Sequence, residues 1–505
     1  MLKILSAQQQ KELDAYTIAN EPVASIDLME RACRAFCSWF TVKFDETHSV
    51  GVVCGTGNNG GDGLGIARML FEYGYRIKVW IVRGGIKETP DFTTNLRRLS
   101  GKVNIMEITA GTAQIQFEGC DVLIDALFGS GLNRSVEGIY AEAIRAINNA
   151  PGIRVAVDIP SGLMADVPSA GEVVKAGFTV TFQLPKLAFL LPQNFAYVGE
   201  WSVVDIGLSK KFIEQAQTKY YLLTRTGVGK LIKPRSKFDH KGRYGHALLV
   251  AGSKGKAGAA VLAALGAMRS GAGLLTVHVP GSAYSILQTA VPEAMAQVDE
   301  DAEVFSVPPG TEPYNVIGAG PGLGTDEKTV RALEALLAKA ALPCVLDADA
   351  LNIISANAHL FQLIPEGSVL TPHPGEFRRL VGDWQDDFDR LKRQVELACR
   401  LQSVVVVKGA HSAIALPDGT VWFNNTGNPG MAKGGSGDAL TGIITGLMAR
   451  GYAAADAARI GCWVHGLAGD LALHEKGPES LITRDLLEKL PEAFRQTGAV
   501  LRTGF

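Results

Sequence analysis

From Ser6 to Phe44 apolar residues recur at about every third or fourth position, the period of helices with one face turned to a core. After that the chain changes to short apolar runs separated by helical stretches. Val50–Cys54, Ile77–Val82, Val103–Ile108, Val122–Ala126 and Val155–Val157 read as buried strands, with helices over Leu64–Tyr73 and Ala141–Asn148. Apolar runs alternating with helices predict a parallel sheet covered on both faces. Thr179–Leu184 and Trp201–Ile206 extend it at one side. The pattern lapses over Leu208–Lys237, which is polar, basic and without a strong period, and a domain boundary is expected there. A second series then begins: strands at Ala247–Ala251, Leu274–Val279, Val316–Ile317, Cys344–Leu346, Ser368–Leu370 and Val404–Val407. Helices are expected at Ala259–Ser270, Lys328–Ala341 and Asp387–Leu401, and mostly helix from Gly437 to Phe494. The second domain is thus also α/β, and the two halves are not copies of each other.

A chain of 505 residues exceeds what one hydrophobic core usually serves, which agrees with two or three domains. A formal charge of −2 without a basic run gives no sign of nucleic-acid binding. No apolar run is long enough to span a membrane, and the start turns polar too soon for a secretion signal. The seven cysteines are scattered, with no Cys-x-x-Cys pair. Cys33 and Cys37 could share a helix face, where buried thiols are expected rather than a metal site. A reducing cytoplasm is the expected setting. The 57 glycines concentrate in short loops beside apolar runs, a use that suits backbone passing close to a ligand.

Three of those loops follow strands of the first series. Cys54-Gly-Thr-Gly-Asn-Asn-Gly-Gly-Asp-Gly63 opens a helix, the place where backbone N–H groups hold a phosphate in a doubly wound sheet. Asn58, Asn59 and Asp62 could also offer oxygens to a ligand or cation, and a tight turn with an Asp cap is the plainer reading. Val122-Leu-Ile-Asp125-Ala-Leu-Phe-Gly-Ser-Gly-Leu132 and Val155-Ala-Val-Asp158-Ile-Pro-Ser161-Gly162 each end a strand with a carboxylate beside glycine. Ligands of open α/β sheets bind at such strand ends, so three converging loops point to a site.

In this order, G-N-N-G-G-D-G, A-L-F-G-S-G-L and V-D-I-P-S-G-L resemble the NAD(P)H-hydrate epimerase domain, over residues 1–215. The resemblance implies a Rossmann-like doubly wound sheet. It also implies interconversion of the two C6 epimers of NADHX and NADPHX, the hydrates of the reduced nicotinamide ring. It places Asn58, Asn59, Gly60, Gly61 and Asp62 at the hydrate, with Gly129, Ser130, Gly131, Leu132, Asn133, Arg134 and Ser135, and with Tyr140 nearby. Asn59, Asp125 and Ser161 are implied ligands of a potassium ion. Asp158 is implied at the reacting ring, where a carboxylate can move the proton that either ring opening or exchange of water requires. Ser135 stands where the family often has Pro, and Met164 where Asp is expected.

In the second half, Asn425-Thr-Gly-Asn-Pro-Gly-Met-Ala-Lys-Gly-Gly-Ser-Gly437-Asp438 leads small residues straight into a helix. Amides there would stabilise a transferring phosphoryl group, and an Asp just inside can accept a hydroxyl proton. An Asp that merely complements the helix dipole is the alternative. G-G-S-G-D resembles the signature of ribokinase-like kinases. His240-Lys-Gly-x-x-Gly245, Gly258-Ala-Ala, Met268-Arg-Ser-Gly-Ala-Gly273, Gly318-Ala-Gly-Pro-Gly-Leu-Gly324, Thr371-Pro-His-Pro-Gly-Glu-Phe377 and Val407-Lys-Gly409 narrow the match. Together they resemble the ribokinase-like ADP/ATP-dependent NAD(P)H-hydrate dehydratase domain, over residues 225–505.

That resemblance implies phosphorylation of the C6 hydroxyl of the S epimer, followed by loss of phosphate to restore NADH or NADPH. Asp438 is the implied base. Ala259, Gly322 and His373 are implied to contact the hydrate, and Lys408, Gly409, Ala410, His411, Ser412 and Gly437 the adenine nucleotide. Glu376 is a candidate for orienting magnesium, or equally a helix-starting Glu. The fused form resembles the bacterial enzymes, which implies ADP as donor; magnesium is expected with the nucleotide, and homo-oligomers are expected, with assembly through the Gly/Ala-rich helices. Two rivals stand beside this reading: a kinase of a sugar or vitamin precursor with an accessory ligand-binding domain, and a non-catalytic nucleotide sensor. Retained Asp125, Asp158 and Asp438 argue against the second.

Overall fold

A computed structural model describes residues 1–498. Residues 499–505, the end of the expected second domain, lie outside them. The chain divides into two compact units, one of Lys3–Thr218 with Asp386–Phe388, the other of Met1–Leu2, Lys219–Gln385 and the chain from Asp389 onward.

The first unit is built on seven parallel strands in the order Asn104–Thr109, Arg76–Arg83, Ser49–Cys54, Val122–Ala126, Ile153–Val157, Phe178–Phe182, Glu200–Val204. The order runs outward in both directions from Ser49–Cys54 and Val122–Ala126, the reversal point at which doubly wound sheets bind ligands. Strands buried on both faces need apolar residues throughout, and Val50, Val52, Val53, Val122, Leu123 and Ile124 are almost fully covered. The expected strands are all present. The helical stretch from Ser6 to Phe44 is made of two helices, Ala7–Asn20 and Ser25–Lys43, separated at Glu21–Ala24. A helix over Pro90–Leu99 was not expected. Its mean character is polar, with only Phe92, Asn95 and Leu99 buried. Cys33 and Cys37 are buried free thiols.

The sheet of the second unit runs in the order Tyr220–Leu222, Val421–Asn424, Ser412–Ala415, Val404–Val407, Val369–Leu370, Cys344–Leu346, Val316–Ala319, His246–Val250, Leu274–Val279, Met295–Val298. Ser412–Ala415 runs antiparallel to both its neighbours. The six expected strands are there. Met295–Val298, Ser412–Ala415, Val421–Asn424 and Tyr220–Leu222 are additions, short pieces too brief to show a period. Tyr220–Leu222 lies inside the stretch expected to be an irregular link and pairs with Val421–Asn424.

Helix Ser436–Ala449 packs on helix Ala257–Arg269 with almost no side chains between them. A Cβ on Gly442 would stand 1.9 Å from the Ala263 carbonyl oxygen, and one on Gly266 2.5 Å from that of Ala439. These Gly/Ala-rich faces are therefore taken up inside the unit. Contacts this close need the small residues for internal packing.

Candidate active sites

In the first unit four neighbouring strands deliver their carboxyl ends to one cavity of about 920 Å³. Ser49–Cys54 leads to Asn58, Asn59 and Asp62, Val122–Ala126 to Gly129–Arg134, Ile153–Val157 to Asp158, and Phe178–Phe182 to Gln183 and Leu184, all on its wall. The helix after the glycine turn starts at Asn58, six residues before the expected Leu64, so Asn58–Asp62 form its first turn. Gly60 and Gly61 do not border the cavity. A Cβ on Gly60 would stand 1.9 Å from the Gly55 carbonyl oxygen, so its role is close passage of helix against strand. Ser135 is exposed and off the wall. Tyr140 is buried behind it, its ring 4.9 Å from that of Phe128 and its hydroxyl accepting from the Gly84 N–H at 3.2 Å. Met164, the departure from the motif, faces the cavity.

Asp158 has a left-handed backbone, φ 66°, unusual for a residue with a Cβ. Its carboxylate accepts from the Lys186 ammonium, the Thr181 hydroxyl at 3.2 Å and the Phe182 N–H at 3.3 Å. Burial pushes its pKa up, but Lys186 and the donors from Phe182 and Ser130 outweigh this and hold it below the usual carboxylate range. Neighbouring Asp62 is raised well above that range by burial and by the carboxylates of Asp158, Asp14 and Asp91. Asp14, on the cavity rim, is pushed up to about 6 by the protein crowded around it and by Asp158. Lys186 and Asp14 were missed. A fourth strand end followed by Pro185-Lys186 was the legible signal for the first; Asp14 sits in a polar helix that gave none.

Asp125 and Ser161 lie together below this wall. Asp125 is fully buried and accepts from the Ser161 N–H at 2.8 Å, the Ser161 hydroxyl at 2.6 Å and the Leu127 N–H at 3.3 Å. Burial raises its pKa to about 6 against those donors. Asn59 adjoins Gly129 on the same side; its amide nitrogen is buried without a partner.

In the second unit the strand order sets candidate residues in a row along one sheet edge. His246–Val250, Val316–Ala319, Cys344–Leu346, Val369–Leu370 and Val404–Val407 are consecutive neighbours. They lead in turn to Ala259, Gly322, Asp347, His373 and Lys408. Gly322 has φ 64°, and a Cβ there would meet that of Ala259 at 2.9 Å. Helix Ser436–Ala449 brings its first turn to this row: a Cβ on Gly437 would lie 3.2 Å from the Lys408 ammonium and 3.5 Å from the Asp347 carboxylate. Asp347, absent from the expected site, is buried and binds Lys408 at 2.7 Å and the Thr441 hydroxyl at 2.6 Å. It thereby joins a strand end, the lysine loop and the helix. Within that loop the Gly409 N–H meets the Ser412 hydroxyl at 3.3 Å, and burial holds the His411 imidazole below its usual pKa. Ala410 lies between them.

Asp438 is half-buried, and burial followed by the charge of Asp347 lifts its pKa to about 6, with Lys408 opposing. His373 caps helix Pro374–Val381, its Nδ1 accepting from the Gly375 N–H at 3.0 Å, while Glu376 accepts from the His373 N–H at 2.8 Å. Glu376 thus takes the helix-starting role, within the field of Lys408 and Asp347. His465, also missed, is buried in the long helix Ala454–Ser480 with Nε2 3.0 Å from the Ser436 carbonyl oxygen. Asp470 fixes the loop ahead of the turn through the Gly427 N–H and the Asn428 amide, each at 2.9 Å.

Residues 247–492 match the family model described as NAD(P)H-hydrate dehydratase, and residues 25–188 that of the YjeF-related protein N-terminus. The chain is 37% identical to a bifunctional NAD(P)H-hydrate repair enzyme of Moorella thermoacetica, over 97% of its own length and 96% of that protein's. It is 35% identical to the Coxiella burnetii protein of the same description, over 97% and 99%. Among solved structures, the ADP/ATP-dependent NAD(P)H-hydrate dehydratase of Bacillus subtilis, co-crystallised with ATP and Mg2+, is 34% identical with a TM-score of 0.50, covering 55% of this chain and 98% of that one. A ribokinase-like superfamily protein of Enterococcus faecalis is 27% identical with a TM-score of 0.50, covering 56% and 98%. With two α/β units, strand-end sites in each and relatives matched from end to end, the chain belongs to the family of bifunctional NAD(P)H-hydrate repair enzymes.

Proposed function

We propose that residues 1–215 epimerise R- and S-NAD(P)HX and that residues 225–505 convert the S epimer to NAD(P)H, with ADP as phosphoryl donor and AMP and phosphate as products. The observation that carries this reading is the row Gly322, Asp347, His373 and Lys408 beneath the helix turn that holds Gly437 and Asp438. Asp438 takes the proton of the C6 hydroxyl as its oxygen attacks the terminal phosphorus. The helix-start amides and Lys408 hold the charge that gathers on the phosphoryl oxygens. The N1 lone pair then expels phosphate from C6, where hydroxide would not leave, and C5 gives up a proton, to the departing phosphate or to water, so that its C–H pair becomes the C5–C6 double bond. Hydration yields both epimers, so the first site supplies the second.

Among the described residues no group of three or more His, Cys, Asp or Glu could hold a metal ion. This suits magnesium brought in on the nucleotide phosphates, where it supplies charge neutralisation, rather than a protein cage. Potassium fits the first unit better. Asp125 is buried with only neutral donors, two of them from Ser161, so an added positive charge there would balance it, while Asn59, whose unpartnered atom is the amide nitrogen, would join only by turning its oxygen inward. All seven cysteines are free, which suits a reducing cytoplasm, and no described helix is long and apolar enough to cross a membrane. Self-association, read by light scattering, would use other surfaces than the glycine-packed helices.

The test is incubation with NADHX and either ADP or ATP, following the near-ultraviolet absorbance of reduced nicotinamide. Return of absorbance with ADP, lost in Asp438→Asn, supports the reading. Phosphorylation of a sugar or vitamin precursor without repair of NADHX would replace it with a kinase.

A further inference from the structure

Lys186 is 1% exposed, and its ammonium faces three acceptors: Asp158 Oδ1, Thr181 Oγ1 at 2.6 Å and the Leu184 carbonyl oxygen at 3.5 Å. Thr181 uses its own hydrogen on Asp158 Oδ1, so it can only accept from the lysine. An ammonium has three donors and all three are used. A neutral amine would leave a lone pair against one of the acceptors. The closed ring of Lys186, Thr181 and Asp158 therefore carries a cation and a carboxylate, and no hydrogen of Lys186 is left for a substrate. The Phe182 N–H adds another donor to Oδ1, and the Asp158 N–H, bonded to the Val180 carbonyl at 2.8 Å, fixes the backbone in its left-handed turn.

Resting on the epimerase reading above, we infer that Lys186 is a positioning residue that keeps Asp158 a carboxylate, so that epimerisation begins by opening the C6–N1 bond and not by expelling water. Asp158 removes the C6 hydroxyl proton. The O–H pair becomes the second bond of a C6 carbonyl, and the C6–N1 pair passes to N1, where it is delocalised through C2 and C3 into the carboxamide. Rotation about C5–C6 presents the other carbonyl face; N1 adds back, and the oxygen recovers the proton from Asp158. Nothing is oxidised or reduced, and no atom enters or leaves. Expulsion of water would instead need an acid at the C6 oxygen. Asp62 and Asp14, which line the same cavity and are both raised by burial and by Asp158, are groups that could supply one.

The experiment follows epimer exchange on the full chain in 18O-labelled water, without nucleotide so that dehydration is idle. Ring opening predicts far fewer than one solvent oxygen incorporated per inversion; one per inversion overturns the route. Lys186→Met is expected to lower kcat about a hundredfold while KM stays within about twofold. A wild-type kcat in that variant overturns the positioning role. Lys186→Ala should recover turnover with added propylammonium, and failure of amines to restore any rate counts against the role. A wild-type chain that does not exchange the epimers at all rejects the epimerase reading itself, a result distinct from each of these.

Discussion

At the scale of single residues the two carboxylates proposed to move protons sit in opposite electrostatic surroundings. Asp158 is held below the ordinary range by Lys186, whereas Asp438 is raised to about 6 by burial and by Asp347, Asp349 and Glu376, against Lys408. A base must be unprotonated, so kcat/KM for dehydration should rise as pH passes about 6, and Asp438→Asn should lower it at least about a hundredfold. Removing the opposing charge with Lys408→Met should move the rise to higher pH, as well as weaken nucleotide binding. His465 carries a stability prediction. Burial, then Lys408, lowers its pKa to about 4, against the Ser436 carbonyl. Below its ordinary value the unfolded chain binds a proton that the folded chain refuses. Stability should therefore fall as pH drops from ~6.5 towards 4, by up to ~3 kcal/mol from this group, and His465→Gln should flatten that part of a melting-temperature profile. The proposed proton-moving residues were legible because a carboxylate at a strand end, Asp158, and one just inside a glycine-led helix, Asp438, are both conspicuous. Asp347 and His465 were not, since each acts through partners distant in sequence; Lys186 follows a readable strand end, but its pairing with Asp158 was not readable.

Elements with a long apolar period were readable, and the short or polar ones were not. Val122–Ala126 is a run of buried residues and matches its expected bounds. Tyr220–Leu222 has three residues and becomes a strand only because Val421–Asn424 offers it hydrogen bonds. Helix Ser436–Ala449 forms where a helix is expected, in spite of glycines that cost helix propensity. The helix stands because those glycines admit the backbone of Ala257–Arg269, and burial of the shared face exceeds the lost propensity. Gly442→Ala should accordingly destabilise the protein by about 1–3 kcal/mol, seen as a lower denaturant midpoint, because its methyl would overlap the Ala263 carbonyl. Since this packing also sets where Asp438 stands, dehydration should weaken with it.

Across the whole molecule, the residues proposed for each site fall within one unit. Asp438→Asn should thus leave epimer exchange at its normal rate, and Asp158→Asn should leave dehydration of pure S epimer unchanged, both checked by chromatography of the epimers beside recovery of NADH. What the chain by itself determined was its α/β character, most of its strands and the loops that carry chemistry, because apolar period and glycine placement are local. Only the tertiary structure decided which strand ends stand side by side. The order of the sheets turns scattered positions such as Gly322, Asp347, His373 and Lys408 into one edge, and burial then sets which of the gathered acids keeps its proton. Strand pairing and desolvation depend on residues far apart in the chain, so no local pattern could have announced them.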